Sequence, residues 1–148
     1  MMSKKSDASS QATIKAAFED IHLSPEVMDK NTRHLSGGQR QRVSFLRALL
    51  PAKPILFGDE PTGNLDPVTA RALFGMIRKE VASKGISAII VSHDLPLANL
   101  YADRIILLKA DTNTQVGSVD SILQKKEGQW LNEKTNMHIN EDQLISMI

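Results

Sequence analysis

The sequence predicts an α/β fold in which a mostly parallel sheet is flanked by helices. Three short apolar runs, at 55–57, 87–91 and 104–108, are typical of strands, and the first two are expected to be buried. Helical patterns separate these runs, and strands that alternate with helices form βαβ units with parallel strands. A chain of 148 residues is long enough to bury an apolar core.

Helices are predicted over residues 14–23, 38–50, 67–84 and 95–101. Pro51 stops the second helix because proline lacks the N–H group that the helix needs. The third helix opens with Asp66 as a favourable cap and Pro67 as a favourable first residue, and Gly85 ends it. The Ser/Lys-rich start of the chain, residues 1–13, is expected to be a disordered tail.

Composition and charge exclude several classes of protein. The formal charge of +1 gives no electrostatic reason to expect nucleic acid as a partner. The absence of cysteine rules out disulfides and thiolate metal sites. The start of the chain has no apolar segment typical of a secretory signal. No apolar run approaches the ~20 residues that a membrane helix needs, so we expect any membrane role to require another subunit.

The start of the second helix, Ser36-Gly37-Gly38-Gln39, supports two interpretations. Ser-x-x-Gln is the pattern of a capping box, in which each of the two side chains bonds the backbone amide of the other residue. Two adjacent glycines also leave backbone N–H groups uncovered at the positive end of the helix dipole, which suits a terminal phosphate. The two interpretations are compatible, and the spacing alone does not choose between them.

Acidic residues follow the first predicted strand, and a histidine follows the second. Because the carboxyl ends of parallel strands meet at the edge of the sheet where ligands bind, we expect Asp59, Glu60 and His93 to lie close together. Asp59 is suited to hold Mg²⁺ directly or through water. Glu60 is suited to polarise an attacking water, and His93 to bond that water or a phosphate. The simpler alternative is a pair of solvated acids and a structural histidine.

In their order along the chain, these residues resemble the motifs of the nucleotide-binding subunits of ABC transporters. Residues 35–39 are similar to the signature motif, 54–60 to the Walker B strand with the catalytic glutamate, 63–66 to the D-loop, and His93 to the switch histidine. The amino-acid sequence of residues 60–66 is similar to that found in the branch that includes lipoprotein-releasing, macrolide-export and cell-division subunits. The resemblance covers roughly residues 14–110.

The resemblance implies a partial P-loop NTPase fold, the ABC ATPase fold, with the end of its helical subdomain. It implies ATP and Mg²⁺ as cofactors, Glu60 and His93 as catalytic residues, and Asp59 as an indirect Mg²⁺ ligand. The signature residues would bind, in trans, the ATP that is held by a second ABC ATPase subunit: Ser36, Gly37, Gly38 and Gln39. The D-loop residues at the implied dimer interface are Asn64, Leu65 and Asp66.

The resemblance also implies a membrane permease subunit as a partner. The chain would then be a cytoplasmic protein that is held by the permease at the inner face of the plasma membrane. The four parts implied are the tail 1–13, a remnant of the helical subdomain 14–50, the C-terminal half of the ATPase core 51–117, and an extension 118–148 of unknown role.

One component of the family's site has no match in these 148 residues. A P-loop has the sequence Gly-x-x-x-x-Gly-Lys-Ser/Thr, and none of the eight glycines is followed by lysine. The family's Q-loop glutamine has no match either. We therefore expect the chain to be the C-terminal part of an ABC ATPase and to be inactive alone. Without the P-loop strand beside it, the strand 87–91 is expected to have an unpaired apolar edge, which favours association.

Two alternatives to a transport ATPase remain at this stage. The first alternative is a non-enzymatic interaction module, which would pair with a complete ABC ATPase and have no turnover of its own. An ABC-type ATPase of DNA maintenance would carry coiled-coil heptads beside the motifs, and the sequence shows none.

Overall fold

The computed structural model describes residues 3–51, 53–109 and 117–147. These residues divide into two compact units, which we name the N-terminal unit (Met1–His93) and the C-terminal unit (Asp94–Ile148). The division coincides with none of the boundaries predicted from sequence. It falls before the strand at 104–109, because that strand pairs with a strand of the predicted extension.

The described part of the N-terminal unit contains three α-helices and two strands. Its elements are α1 (Ser3–Asp20), α2 (Gly37–Leu49), β1 (Ile55–Asp59), α3 (Pro67–Lys84) and β2 (Ser87–Val91), with 3₁₀ turns at Pro25–Asp29 and Thr32–His34. Strands β1 and β2 pair in parallel, with Phe57 opposite Ile89. The predicted βαβ unit is therefore confirmed, and the two strands end at the same edge of their sheet.

Helix α3 begins and ends where its sequence predicts. The carboxylate of Asp66 accepts hydrogen bonds from the backbone N–H groups of Val68 and Thr69, and Pro67 occupies the first turn. Gly85 follows the helix with a φ of 64°, a left-handed conformation that glycine adopts without a steric penalty. These local signals fix both ends of the helix that connects β1 to β2.

Helix α1 is longer than the sequence predicts. It starts at Ser3 and runs to Asp20, so residues 3–13 are helical rather than a disordered tail; the first two residues lie outside the described part. The segment contains several good helix formers, including Lys4, Lys5 and Ala8, and no proline or glycine to interrupt the helix. With no residue that breaks it, the predicted helix continues back to Ser3.

The core of the N-terminal unit is built mainly from its helices and the turns between them. Its buried apolar residues are Ala17, Phe18, Ile21, Leu23, Val27, Leu35, Leu46, Leu49, Leu56, Ala70, Leu73, Phe74, Met76, Ile77 and Ile86. Only one of them, Leu56, lies in a strand. Most of the apolar burial that stabilises this unit therefore comes from helix packing.

The prediction that β1 and β2 are buried strands is wrong. Four large apolar side chains are about half exposed or more, and they define what we name the open face: Ile55, Phe57, Ile89 and Val91. Phe57 is 70% exposed. The sheet has only these two strands in the described chain, so alternate side chains on one face stay accessible. The far edge of β2 also has no strand partner among these residues, as predicted.

The described part of the C-terminal unit contains an antiparallel sheet, with one short helix before it and one after it along the chain. Its elements are α4 (Leu95–Tyr101), β3 (Arg104–Lys109), β4 (Ser118–Lys126), β5 (Gln129–Asn132), β6 (His138–Ile139) and α5 (Glu141–Ile145). The strand order is β3-β4-β5-β6. The expectation of a mostly parallel sheet is therefore wrong in this unit, because β3 pairs antiparallel with β4 and the tight turn at Glu127-Gly128 folds β5 back on β4.

A single apolar cluster holds the C-terminal unit together. It consists of the buried residues Leu95, Ile105, Leu123, Trp130 and Leu144. The indole N–H of Trp130 donates a hydrogen bond of 2.8 Å to the side-chain oxygen of Asn99, so the largest side chain is buried without losing its polar contact. Three of the five cluster residues come from the extension at 118–148, which therefore forms much of this core.

Candidate active site

The parallel register brings Glu60 and His93 together. Glu60 directly follows β1, and His93 comes two residues after β2. The Nδ1 atom of His93 lies 2.9 Å from the Oε1 atom of Glu60. The histidine side chain is 80% exposed and the glutamate side chain 39% exposed. The pair is therefore accessible from solvent, as a site for a ligand requires.

Glu60 has an unusual backbone conformation for a residue with a side chain. Its φ is +44°, in the left-handed region, where residues other than glycine are uncommon. Its N–H group donates a hydrogen bond of 2.9 Å to the carbonyl of Val91 at the end of β2. Its Oε2 atom is shielded from solvent and has no hydrogen-bond partner among the described residues. Strained backbone and an unsatisfied carboxylate oxygen are features that concentrate at functional sites.

The start of α2 is a capping box, as one of the two sequence interpretations predicts. The Ser36 Oγ atom accepts a bond of 3.1 Å from the N–H of Gln39, and Gln39 Oε1 accepts one of 3.0 Å from the N–H of Ser36. A Cβ atom built on Gly37 would have no neighbour within 4 Å, whereas one on Gly38 would lie 3.8 Å from the carbonyl oxygen of Asn64. The helix start is thus open at Gly37.

Asp59 is exposed at the last position of β1. The described residues contain no group of three side chains that could hold a metal ion. A single carboxylate fits Mg²⁺ in the way common for nucleotide sites, where substrate phosphates and waters supply the other ligands. Asp59 is therefore compatible with an indirect role at a bound metal.

Comparison with known proteins supplies the family. The sequence profile of the ABC transporter family matches residues 2–63. The choline, carnitine and glycine betaine transport ATP-binding protein OpuCA of Bacillus subtilis is 38% identical over 113 residues, which are 76% of this chain and 30% of OpuCA. The lipoprotein-releasing system ATP-binding protein LolD of Cereibacter sphaeroides is 50% identical over 76 residues, or 51% of this chain and 34% of LolD.

Solved structures agree with the sequence comparison. A dimeric ATP-binding cassette in a post-hydrolysis state, bound to ADP and Pi, is 30% identical with a TM-score of 0.60, over 72% of this chain and 44% of that one. A nucleotide-free cassette is 25% identical with a TM-score of 0.58, over 85% of this chain and 46% of that one. The chain belongs to the ABC transporter ATPase family. It spans about a third of the length of the curated relatives it matches.

The relatives of this ABC ATPase chain come from more than one branch. LolD agrees with the branch predicted from residues 60–66. The phosphonates import ATP-binding protein PhnC 2 of a Synechococcus species is 46% identical over 102 residues, or 67% of this chain and 38% of PhnC 2. The similarity therefore extends beyond the predicted branch to proteins of import systems. No helix among the described residues has the length and apolar character needed to cross a membrane.

In this ABC ATPase chain, Asp66, which resembles the D-loop aspartate, caps helix α3. Asp66 accepts bonds from the Thr69 hydroxyl, at 2.6 Å, and from the N–H groups of Thr69 and Val68, at 3.0 and 3.1 Å. These donors, the Thr69 hydroxyl first, lower the pKa of the Asp66 carboxyl from its usual 3.8. The carboxylate caps α3, so Asn64 and Leu65 come immediately before a fixed helix start.

Two further residues near the candidate site were not predicted from sequence. Gly58, before Asp59, is closely packed, because a Cβ there would lie 2.9 Å from the Ile90 Cδ1 atom, which would have to move aside. Gln41, two positions after the signature glutamine, donates hydrogen bonds to the carbonyls of Glu60 and Pro61. Gln41 is an uncharged polar residue beside charged residues at the start of α2. This pattern indicated an inward-facing side chain but did not identify the residues that it contacts.

Proposed function

We propose that this chain carries out part of the ATP hydrolysis that drives an ABC transporter, as the part that bears the signature and the catalytic residues. The observation that carries the proposal is the hydrogen bond between Glu60 and His93 at the common end of two parallel strands. Ligands bind at this edge of parallel sheets. The family membership makes a nucleotide phosphate the ligand that the pair would face.

The geometry of Glu60 suits a residue that orients water. Its Oε1 atom contacts His93, while Oε2 has no partner among the residues described. A carboxylate held in this way accepts a hydrogen bond from a water and directs its oxygen toward a phosphorus atom. The exposed His93 would bond that water or the phosphate. Mg²⁺ bound with ATP would neutralise phosphate charge, and Asp59 is the residue suited to hold it through water.

The open start of α2 suits a phosphate that another subunit delivers. The hydroxyl of Ser36 accepts a bond within the capping box and still has its own hydrogen to donate. Gly37 leaves the helix end uncovered, where backbone N–H groups favour an anion. The residues Ser36 to Gln39 would therefore contact ATP held by a second ABC ATPase subunit, next to the D-loop residues Asn64, Leu65 and Asp66. A permease would hold both subunits at the cytoplasmic face of the plasma membrane.

The catalytic pair needs a phosphate-binding loop that these 148 residues do not encode. A parallel strand added at the far edge of β2 would end beside His93, because all strands of a parallel sheet end at one edge. A helix after that strand would cover the open face. The polypeptide of 148 residues, tested alone, is therefore proposed to be inactive in ATP hydrolysis, since phosphoryl transfer depends on holding the phosphates in position.

Complementation of a defective relative tests the part of the proposal that concerns the signature. LolD of Cereibacter sphaeroides, with the serine of its own signature replaced by arginine, would be mixed with this chain and assayed for ATP turnover. We expect turnover with the wild-type chain, none with Ser36→Arg, and full turnover with Ser44→Arg, which changes an exposed serine on the same helix. The chain alone should show no turnover.

Two outcomes would contradict parts of this proposal. Turnover by the purified chain alone that disappears in Glu60→Gln would show that it hydrolyses ATP unaided. Binding to LolD without restored turnover would favour the alternative, a non-enzymatic interaction module that pairs with a complete ABC ATPase.

A further inference from the structure

The contacts of Gln41 cross from the signature helix to the loop that carries the candidate catalytic glutamate. Gln41 lies in the second turn of α2. Its Nε2 atom donates hydrogen bonds of 2.9 Å to the carbonyl of Pro61 and 3.2 Å to that of Glu60. The amide nitrogen carries two hydrogens, and both are directed to this loop, 19 and 20 positions along the chain.

The surroundings of Gln41 fix the orientation of its amide. Both neighbours are backbone carbonyls, which only accept hydrogen bonds, so the nitrogen must face them. The Oε1 atom is then buried, and it has no hydrogen-bond partner within the described ranges. Folded proteins avoid an unpaired buried acceptor because its lost hydration is not replaced. The unpaired Oε1 atom of Gln41 indicates that this side chain is retained for the two hydrogen bonds that its Nε2 atom donates.

The two hydrogen bonds of Gln41 reach the strained part of the loop. Glu60 has a φ of +44°, and its N–H is bonded to Val91. Its carbonyl accepts hydrogen bonds from Gln41 and, at 3.2 Å, from the N–H of Gly63. The backbone of Glu60 is thus held by β2 on one side and by α2 on the other. These contacts determine where its carboxylate meets His93.

The next residue, Arg42, fixes another side of the same helix. Arg42 Nη1 donates bonds of 3.2 Å to the carbonyls of Ile21 and His22, just after α1. Arg42 Nε donates one of 3.3 Å to the carbonyl of Gly38. The start of α2 is therefore held between the end of α1 and the loop after β1, with Gly38 in contact range of Asn64.

We propose that Gln41 is a positioning residue that fixes the signature end of α2 to the Glu60 loop, so that the signature and the D-loop face a partner subunit as one rigid surface. The inference rests on the proposed function for the meaning of that surface, but its structural half stands on the contacts of this chain alone. A signature that is held to the loop keeps its distance from the D-loop when a nucleotide is bound between subunits.

Hydrogen exchange on the isolated chain tests the structural half. Gln41→Met keeps the length of the side chain and its helix propensity but removes both donors; Gln11→Met makes the same change at an exposed site on α1. We expect amide exchange of Glu60 and Gly63 to accelerate about 10-fold or more in Gln41→Met. The exchange of amides in the middle of α3 should stay unchanged, and Gln11→Met should match the wild type.

The complementation assay tests the functional half. With LolD whose signature is defective, Gln41→Met should lower kcat about 10-fold while the KM for ATP stays within twofold, because the nucleotide is held by the LolD P-loop and only its alignment suffers. A variant that merely unfolds the chain would instead remove binding to LolD. Gln11→Met should restore turnover as well as the wild type does.

The outcomes separate this inference from the proposed function. Unchanged exchange of Glu60 and Gly63 in Gln41→Met, or unchanged kcat, would overturn the role of Gln41. Failure of the wild-type chain to restore turnover, together with accelerated exchange in Gln41→Met, would overturn the proposed function and support the structural role of Gln41 within this chain.

Discussion

The two units of this chain differ in how much their strands contribute to an apolar core. The N-terminal unit holds every residue assigned to the chemistry, yet its small parallel sheet exposes the open face, with Phe57 70% accessible. The C-terminal unit holds none of those residues, and its sheet packs on a cluster that includes Leu123, Trp130 and Leu144. One face of the C-terminal sheet therefore packs on a core of its own unit, whereas only Leu56 of the parallel sheet is buried. Both units leave apolar strand residues exposed, including Ile106 and Leu108 in the C-terminal unit.

The largest expected effect on stability concerns the buried apolar cluster of the C-terminal unit. Leu123→Ala removes a side chain that is 0% exposed, so the free energy of unfolding should fall by about 2–5 kcal/mol. Leu108→Ala is the matched control, because Leu108 lies in the same unit but is 70% exposed; its effect should stay within about 0.5 kcal/mol. Urea unfolding followed by the fluorescence of Trp130, the sole tryptophan, measures both. Equal losses would show that burial in this cluster does not decide how much a leucine of the C-terminal unit contributes to stability.

The open face is expected to drive association of the isolated chain. An accessible strand edge with apolar side chains and no charge invites pairing between molecules. Ile89→Lys places a charge on this face, at a residue that is 52% exposed, and should shift the protein toward monomer without lowering its stability. Val68→Lys, at an exposed residue on α3, serves as the control.

Sedimentation velocity over a range of concentrations measures this shift. A wild-type chain that stays monomeric at every concentration would show that the open face does not drive association. An equal effect of Val68→Lys would show that added charge, rather than its place, causes the change.

The smallest effect concerns the pH dependence of the cap at Asp66. Its pKa is lowered in the folded state by the Thr69 hydroxyl and by backbone N–H groups, so the unfolded state binds more protons near the usual value of 3.8. The contribution of this group to stability is therefore complete above 3.8 and is lost as the pH falls through the folded pKa.

Asp66→Asn should remove that part of the pH dependence, because asparagine keeps an acceptor but does not titrate. Urea unfolding at neutral pH and on both sides of 3.8 measures it. Asp20→Asn, at an exposed residue at the end of α1, should leave the dependence as in the wild type. If the free energy of unfolding had the same pH dependence in the wild type and in Asp66→Asn, the charge of the cap would contribute nothing to stability.

Elements with strong local signals were predictable from sequence. Helix α3 is delimited by Asp66 and Gly85, and β2 and α4 have the predicted bounds. The convergence of Glu60 and His93 follows from parallel strands, because both residues come just after strand ends. These predictions needed only caps, glycine and the direction of the strands.

Features that depend on distant partners were not predictable. The burial of β1 and β2 depends on how many strands complete the sheet, which their apolar residues do not encode. Strand β4 is rich in serine, glutamine and lysine, so its propensity was weak, although Gly128, with a φ of 81°, was a usable hairpin signal. The link from Gln41 to Glu60 joins residues 19 positions apart, and no periodic pattern records such a contact.

The close approach of Gly58 to Ile90 has a consequence for anyone who redesigns this chain. With only 2.9 Å between the place of a Cβ and the Ile90 Cδ1 atom, the two positions share one small volume. Alanine at 58 requires the Ile90 Cδ1 atom, the far end of a flexible side chain, to move aside. A library that varies both sites together includes the smaller side chains at 90 that remove this contact.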